Sequence, residues 1–318
     1  MARGVVKRVL LASPRGYCAG VERAVETVER ALDLYGPPVY VRKQIVHNAH
    51  VVRELEERGA VFVEDERNVP EQATLVLSAH GVEPGVYERA IARRLNTIDA
   101  TCPLVTKVHV QARRYAAEGY RIVLIGHAGH EEVVGTMGEA PEAITLVESI
   151  EDAERVELGK GPLAYITQTT LSVDETAEII DVLRRRFPSI RAPQREDICY
   201  ATSNRQWAVK ELLGEVDLLL VIGSRNSSNS NRLVEVARAA GVDAHLVDDE
   251  TEIDLAWLED VETIGVTSGA SAPERLVTRV CDWFRARGVE DIEPYASVYE
   301  DVVFRLPVEL RRAERSAA

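Results

Sequence analysis

Apolar and polar positions recur along the chain in one order. A short apolar run leads into a polar loop, and the loop leads into a stretch with apolar residues at helical spacing. Val9-Leu10-Leu11-Ala12 reads as a strand. Val21, Ala24, Val25, Val28 and Leu32 form the inward face of a helix that Gly36 stops. The pattern then predicts strands at 39–46, 60–63 and 74–79, with a helix through Val51, Val52 and Leu55. A second round gives a short strand at 97–99, a helix carrying Leu104, Val105, Val108, Ala112 and Tyr115, and strands at 121–125, 144–147 and 163–166. In a third, a helix runs through Trp207 and Leu212, strands follow at 217–222, 244–247 and 263–267, and residues 302–306 read as a closing strand.

Strands alternating with helices imply parallel sheets and an α/β fold. The repetition predicts three modules at 1–98, 99–196 and 197–288, followed by a tail at 289–318 that holds the closing strand. Each round opens on a cysteine: Ser13-Pro14-Arg15-Gly16-Tyr17-Cys18-Ala19-Gly20, Asp99-Ala100-Thr101-Cys102-Pro103 and Asp197-Ile198-Cys199-Tyr200. A cysteine between a strand end and a helix start lies where open α/β sheets place ligands. Helix amides there favour thiolate over thiol. Near-equal spacing of Cys18, Cys102 and Cys199 points to a three-fold repeat whose cysteines converge on one metal centre. The plainer alternative is three unrelated buried thiols. Cys281 lies on an apolar helix face and reads as core.

The bulk numbers narrow the function. A chain of 318 residues, 46% of them hydrophobic, supports more than one core. A formal net charge of −14 argues against a general nucleic-acid binder. No apolar run reaches membrane-spanning length, no signal peptide is visible, and four cysteines make no disulfide framework, so a reducing cytoplasm is expected. Only the Arg/Glu/Ala-rich end after Pro307 reads as poorly ordered.

Three thiolates can hold zinc or an iron–sulfur cluster. No Cys-x-x-Cys pair is present, which disfavours zinc fingers and bacterial ferredoxins. Five of the seven histidines, His47, His50, His80, His127 and His130, fall in or beside strand-end loops. Ser227-Ser228-Asn229 and Ser271-Ala272-Pro273 precede apolar helix faces, and their hydroxyls, amide and helix N–H groups suit a phosphate. Ordinary capping explains most such residues, but Ser-Ser-Asn-Ser-Asn supplies more donors than a cap needs. There is no Gly-x-x-x-x-Gly-Lys loop for a nucleotide. Glu132 follows His130 in a glycine-flanked loop. Such a glutamate is by default solvated, yet beside a leaving hydroxyl it could supply a proton.

Taken together, Pro14-Arg15-Gly16-Tyr17-Cys18-Ala19-Gly20-Val21, Asp99-Ala100-Thr101-Cys102-Pro103, Gly126-His127-Ala128-Gly129-His130, Gln168-Thr169-Thr170-Leu171-Ser172, Asp197-Ile198-Cys199-Tyr200-Ala201-Thr202 and the run from Gly223 to Arg232 resemble the LytB/IspH family of 4-hydroxy-3-methylbut-2-enyl diphosphate reductases over nearly the whole chain. The resemblance implies a trefoil of three pseudo-three-fold related α/β modules around a central 4Fe-4S cluster. It implies reductive removal of an allylic hydroxyl, with isopentenyl and dimethylallyl diphosphate as products and ferredoxin or flavodoxin as electron donor. Carried over residue by residue, Cys18, Cys102 and Cys199 match the cluster ligands. His47, His80, His130, Thr169, Ser227, Ser228, Asn229 and Ser271 match the substrate contacts, and Glu132 with Thr169 matches the catalytic proton relay. The family usually has proline between the histidine and the glutamate, where this chain has Glu131.

Two rivals remain on the residues alone. One is a zinc hydrolase of a phosphorylated substrate, which would be colourless where an iron–sulfur protein is brown. The other is a cluster-based redox sensor, which needs no phosphate-binding loop.

Overall fold

The computed structural model describes residues 6–296 and 298–317. In chain order the first elements are β1 (Arg8–Ser13), α1 (Ala19–Tyr35), β2 (Val39–Arg42), α2 (Ala49–Glu57), β3 (Ala60–Val63), β4 (Thr74–Leu77), α3 (Pro84–Ala92) and β5 (Asn96–Asp99). Next come α4 (Pro103–Ala117), β6 (Arg121–Ile125), α5 (Glu131–Gly138), β7 (Ile144–Val147), α6 (Ile150–Arg155), β8 (Leu163–Thr167) and α7 (Val173–Arg186). The last are α8 (Tyr200–Leu212), β9 (Leu218–Ile222), α9 (Ser228–Ala239), β10 (Asp243–Val247), β11 (Thr263–Ser268), α10 (Glu274–Arg285), β12 (Asp291–Ala296) and α11 (Val308–Ala317).

The strands form three sheets, ordered β10-β9-β11-β1-β12, β3-β2-β4-β5 and β7-β6-β8, and every strand pair is parallel. A parallel sheet needs helices on its faces, so its strands are apolar throughout rather than alternating. In β9 all five residues are buried. Its sheet packs Leu276, Val277, Val280 and Phe284 of α10 on one face. The other face carries Val209 and Leu212 of α8 with Leu233 and Ala237 of α9. The β7-β6-β8 sheet is covered in the same way, by Val108, Ala112 and Tyr115 of α4 and by Ile179, Val182 and Leu183 of α7. Val86 and Ala90 of α3 pack on Leu75 and Leu77 of β4.

One topology recurs in all three sheets. The second strand of a round lies outermost, the first and third follow, and the strand leading into a cysteine comes next. β1 takes that place beside β11 and leads to Cys18; β5 takes it beside β4 and leads to Cys102. Beside β8 the place is held by a single parallel bridge between Ala164 and Arg191, upstream of Cys199.

Three expectations are corrected. The strand predicted at 39–46 ends at Arg42, because Lys43 adopts φ +58°, the left-handed region that breaks an extended run. Residues 302–306 form no strand; the pairing strand of this region is β12, in register with β1 from Arg8↔Asp291 onward. The charged end after Pro307 is helical as α11, and Leu310 within it is fully buried, which anchors a segment whose composition reads as solvated.

By its contacts the chain divides into two compact units. One takes in the chain to Ala19, His47–Val51 and Tyr200–Val303, and contains the five-stranded sheet. The other takes in Gly20–Val46, Val52–Cys199 and the chain from Phe304 onward, and contains the other two sheets. No helix among the described residues is long and apolar enough to cross a membrane.

Candidate functional site

The cysteines share one local geometry. Cys18 immediately precedes α1, Cys102 caps α4 with Pro103 at the first helical position, and Cys199 immediately precedes α8. Each amide N–H donates to a carbonyl two residues past the end of the third strand of its sheet. The pairs are Cys18 to Ala270 (3.1 Å), Cys102 to Ala79 (2.9 Å) and Cys199 to Thr169 (3.0 Å). Sulfur is thereby presented three times in the same way, half-buried, at a helix N-terminus and outside any disulfide. Cys281, by contrast, is buried on α10, and burial raises its thiol pKa.

In the five-stranded unit, the loops after β9 and β11 gather neutral polar groups. The Ser227 hydroxyl caps α9, accepting from Ser230 N–H at 3.4 Å and Ser230 Oγ at 3.0 Å, and lies 3.4 Å from Ser271 Oγ. Ser271 Oγ donates to the His47 carbonyl at 3.0 Å. Asn229 Oδ1 accepts from Ala270 N–H at 2.9 Å and its Nδ2 donates to Thr202 Oγ1 at 3.3 Å. Gly223 and Gly269 flank Ser230 so tightly that a Cβ on either would overlap its hydroxyl, so these two positions admit only glycine. The structure therefore joins His47, Ser227 and Ser271 by hydrogen bonds, and Asn229 holds the neighbouring Ala270 amide, with Ser228 in the first turn of α9.

In the two-sheet unit the corresponding loops carry titratable groups. Glu132 lies in the first turn of α5 and is 2% exposed, not the solvated loop residue that its surroundings in sequence predict. Its Oε1 accepts from Thr169 N–H at 2.6 Å and its Oε2 from Thr169 Oγ at 3.0 Å. Burial outweighs both bonds and pushes the carboxyl up to about 7, with the Asp197 charge acting in the same direction. His130 caps α5, its Nδ1 accepting from Glu132 N–H at 3.2 Å. That bond leaves Nε2 as the atom that carries the proton in the neutral ring. The His80 ring lies edge-on to His130 at 5.9 Å, and its Nδ1 is 3.4 Å from Glu131 Oε2. Burial pulls His80 down to about 4, so the ring is neutral at pH 7. The structure thus brings His80, His130, Glu132 and Thr169 together within this unit.

Do the residues fit an iron–sulfur group? Among the described residues, no three or more of Cys, His, Asp or Glu are gathered tightly enough to hold a single metal ion. A cluster sets its thiolates further apart than one ion does. The chemistry of the donors suits such a group: three thiols in equivalent local settings, each held by its own loop and helix end and none in a disulfide. The donor set fits.

Sequence reasoning missed Asn226, whose Nδ2 lies 3.3 Å from His47 Nδ1, and Thr202, which holds Asn229. It also missed three cations downstream of the cysteines, Arg23, Lys107 and Arg205. Their common offset from each cysteine, five, five and six residues, was the signal available.

Parallel sheets that each end at a helix-capping cysteine, with an anion-suited group in one unit and a buried proton-holding carboxyl in the other, define a cysteine-bearing α/β protein built on a three-fold repeat. Comparison with known proteins takes this further. A family model for LytB protein matches residues 9–285. The chain belongs to the LytB protein family, and it is an oxidoreductase. A protein of Acidothermus cellulolyticus named 4-hydroxy-3-methylbut-2-enyl diphosphate reductase is 64% identical over 309 residues, covering 96% of this chain and 91% of that protein. A protein of the same name from Nocardia farcinica is 60% identical over 97% of this chain and 93% of its own length. The solved structure of the E-1-hydroxy-2-methyl-but-2-enyl-4-diphosphate reductase from Plasmodium falciparum aligns with a TM-score of 0.96 at 39% identity, covering 98% of this chain and 99% of that one.

Proposed function

We propose that the chain reduces (E)-4-hydroxy-3-methylbut-2-enyl diphosphate to isopentenyl and dimethylallyl diphosphate, the last step of the non-mevalonate route to isoprenoids, in the cytoplasm. Family membership and the names of the relatives support the reaction. The observation that carries the chemistry is Glu132, a buried carboxyl doubly held by Thr169 and raised to about 7.

The reaction breaks the allylic C–O bond, forms a C–H bond and water, and consumes two electrons and two protons. In this reading Cys18, Cys102 and Cys199 hold a 4Fe-4S cluster, and ferredoxin or flavodoxin is the electron donor. When bound, such a cluster passes electrons singly and offers Lewis acidity at the iron that no cysteine holds. The protein's own groups do the rest. Ser227, Ser228, Asn229 and Ser271 offer the diphosphate hydroxyls, an amide and the N-terminus of α9. His47, His80, His130 and Thr169 add further contacts, and an arriving anion raises the proton affinity of His80. Glu132, half protonated near neutrality, gives its proton to the departing oxygen, and the Thr169 hydroxyl holds the carboxyl in place.

Anaerobic purification and turnover test this. The chain is expected to be brown, to contain iron and acid-labile sulfide, and to convert the allylic diphosphate only when a one-electron reductant is present. A colourless zinc protein, or a loaded protein that leaves the substrate unchanged, overturns the reading.

A further inference from the structure

Each cysteine helix carries a cation one and a half turns past its cysteine, and each cation reaches the backbone that feeds a different cysteine. Arg23, on the Cys18 helix α1, donates from Nη1 to the Ala100 and Thr101 carbonyls at 2.9 and 3.0 Å and from Nη2 to the Asp99 carbonyl at 3.3 Å. These are the three residues before Cys102. Lys107, on the Cys102 helix α4, donates to the Arg195 carbonyl at 3.1 Å and to the Glu196 carbonyl, and pairs with Asp197 at 3.0 Å. These are the residues leading into Cys199. Arg205, on the Cys199 helix α8, donates from Nη2 to the Gly16 carbonyl at 2.8 Å, two residues before Cys18.

Each cation also has acidic company. Asp99 and the Cys102 sulfur both act electrostatically on Arg23, against the lowering effect of burial. Lys107 has Asp197. Arg205 has no acid in the loop that it grips; Glu300 supplies one from the C-terminal segment, 3.3 Å from Nη1 and 3.0 Å from Asn204 Nδ2. Arg205 is fully buried, with its charge matched by Glu300 at Nη1 and its Nη2 used by the Gly16 carbonyl.

We propose that Arg23, Lys107 and Arg205 are positioning residues for the three cysteines, each cysteine helix fixing the loop that delivers the next, with Arg205 closing the cycle on Cys18. The inference rests on the reading that these cysteines hold one cluster. The physical reason is local. Apart from Asp99, the last residue of β5, the carbonyls gripped before each cysteine belong to no strand or helix; those of Gly16, Ala100 and Thr101 are in buried residues and need donors, whereas Arg195 and Glu196 are exposed. Arg23 satisfies three of them, Lys107 two and Arg205 one, and each bond restricts the loop that carries the thiolate. For Arg23 the Cys102 sulfur also acts on the charge, and a cation so placed offsets negative charge gained on reduction.

The test uses the full chain in two forms, with Arg23→Met, Lys107→Met and Arg205→Met beside Arg23→Lys and Lys107→Arg. In the metal-free chain, amide hydrogen exchange is expected to quicken at least tenfold at 99–102 in Arg23→Met and at 196–199 in Lys107→Met. The loop on the variant's own helix should be unchanged. In the reconstituted chain, each methionine variant should lose iron to a ferrous chelator at least tenfold faster and show a lower reduction potential, and the charge-keeping variants should recover most of both. Arg205 is wholly buried; if Arg205→Met fails to fold, Arg23 and Lys107, both part-exposed, decide the matter. Parental exchange, iron release and potential in those two methionine variants overturn the proposal. So does a uniform loss of stability without loop specificity. A parent chain that takes up no iron and sulfide refutes the cluster reading instead, and the exchange measurement still stands on its own.

Discussion

The two units present loops of the same kind, at the carboxyl ends of parallel strands and the starts of helices, and equip them with opposite chemistry. The five-stranded unit offers Ser227, Asn229 and Ser271, neutral polar groups held by the Ser227–Ser271 contact, by the Ala270 amide and by glycines packed on Ser230. The two-sheet unit offers Glu132 and His80, whose proton content changes near pH 7 and near pH 4, with His130 beside them. Fixed dipoles bind an anion equally well across that range, whereas titratable groups can move a proton but make their contribution pH-dependent. Binding and proton supply are thus assigned to different residue types, and that division can be broken experimentally.

The largest effect is expected at Glu132. Glu132→Gln keeps the shape and the hydrogen bond from Thr169 but removes the proton, and turnover should fall roughly 10²–10⁴-fold with iron and sulfide content intact. More than a tenth of parental turnover would remove Glu132 from the chemistry. The same carboxyl makes stability pH-dependent in the metal-free chain. Between its unfolded value of 4.5 and its folded value of about 7, the native state keeps a proton that the unfolded state has released. Stability from this group is therefore full below about 4.5 and lost as pH rises to 7, by up to about 3 kcal/mol. Urea midpoints at pH 5 and pH 8 should differ more in the parent than in Glu132→Gln; equal differences would show that the carboxyl is not raised.

Asn229→Ala leaves the Ala270 N–H without its partner and should weaken inorganic diphosphate binding by about tenfold, the worth of one lost buried hydrogen bond, by the same factor at pH 6 and pH 8. In the parent, binding should tighten toward pH 6 because an anion recruits a proton to His80, and His80→Gln should flatten that slope. A pH-dependent penalty for Asn229→Ala would erase the contrast between the units. The smallest effect is expected for Glu131→Pro. Proline suits the first position of α5, and the exchange removes a carboxylate 3.4 Å from His80 Nδ1, so diphosphate should bind roughly threefold tighter by titration calorimetry.

What was legible in the sequence was local. A strand, a cysteine and an amphipathic helix are neighbours along the chain, so the helix-start position of Cys18, Cys102 and Cys199 follows from periodicity, and so do most strands. What was not legible depends on residues far apart in sequence. Glu132 reads as a solvated loop residue until Thr169, beyond two intervening strands, closes over it. The helix at 308–317 reads as loose because nothing nearby reveals where Leu310 is buried. The strand expected to run to 46 stops at Lys43 through a backbone angle that no hydrophobic pattern encodes. For Cys199 the preceding strand shrinks to one bridge at Arg191, too short to leave a signature.

The position of β1 has a consequence for biosynthesis. It lies between β11 and β12, with Arg8 opposite both Thr263 and Asp291. β1 thus has neighbours that are translated long after it. The nascent chain must carry an unsatisfied apolar ribbon while the intervening elements are made, and closure of that layer waits on translation of β11 and β12.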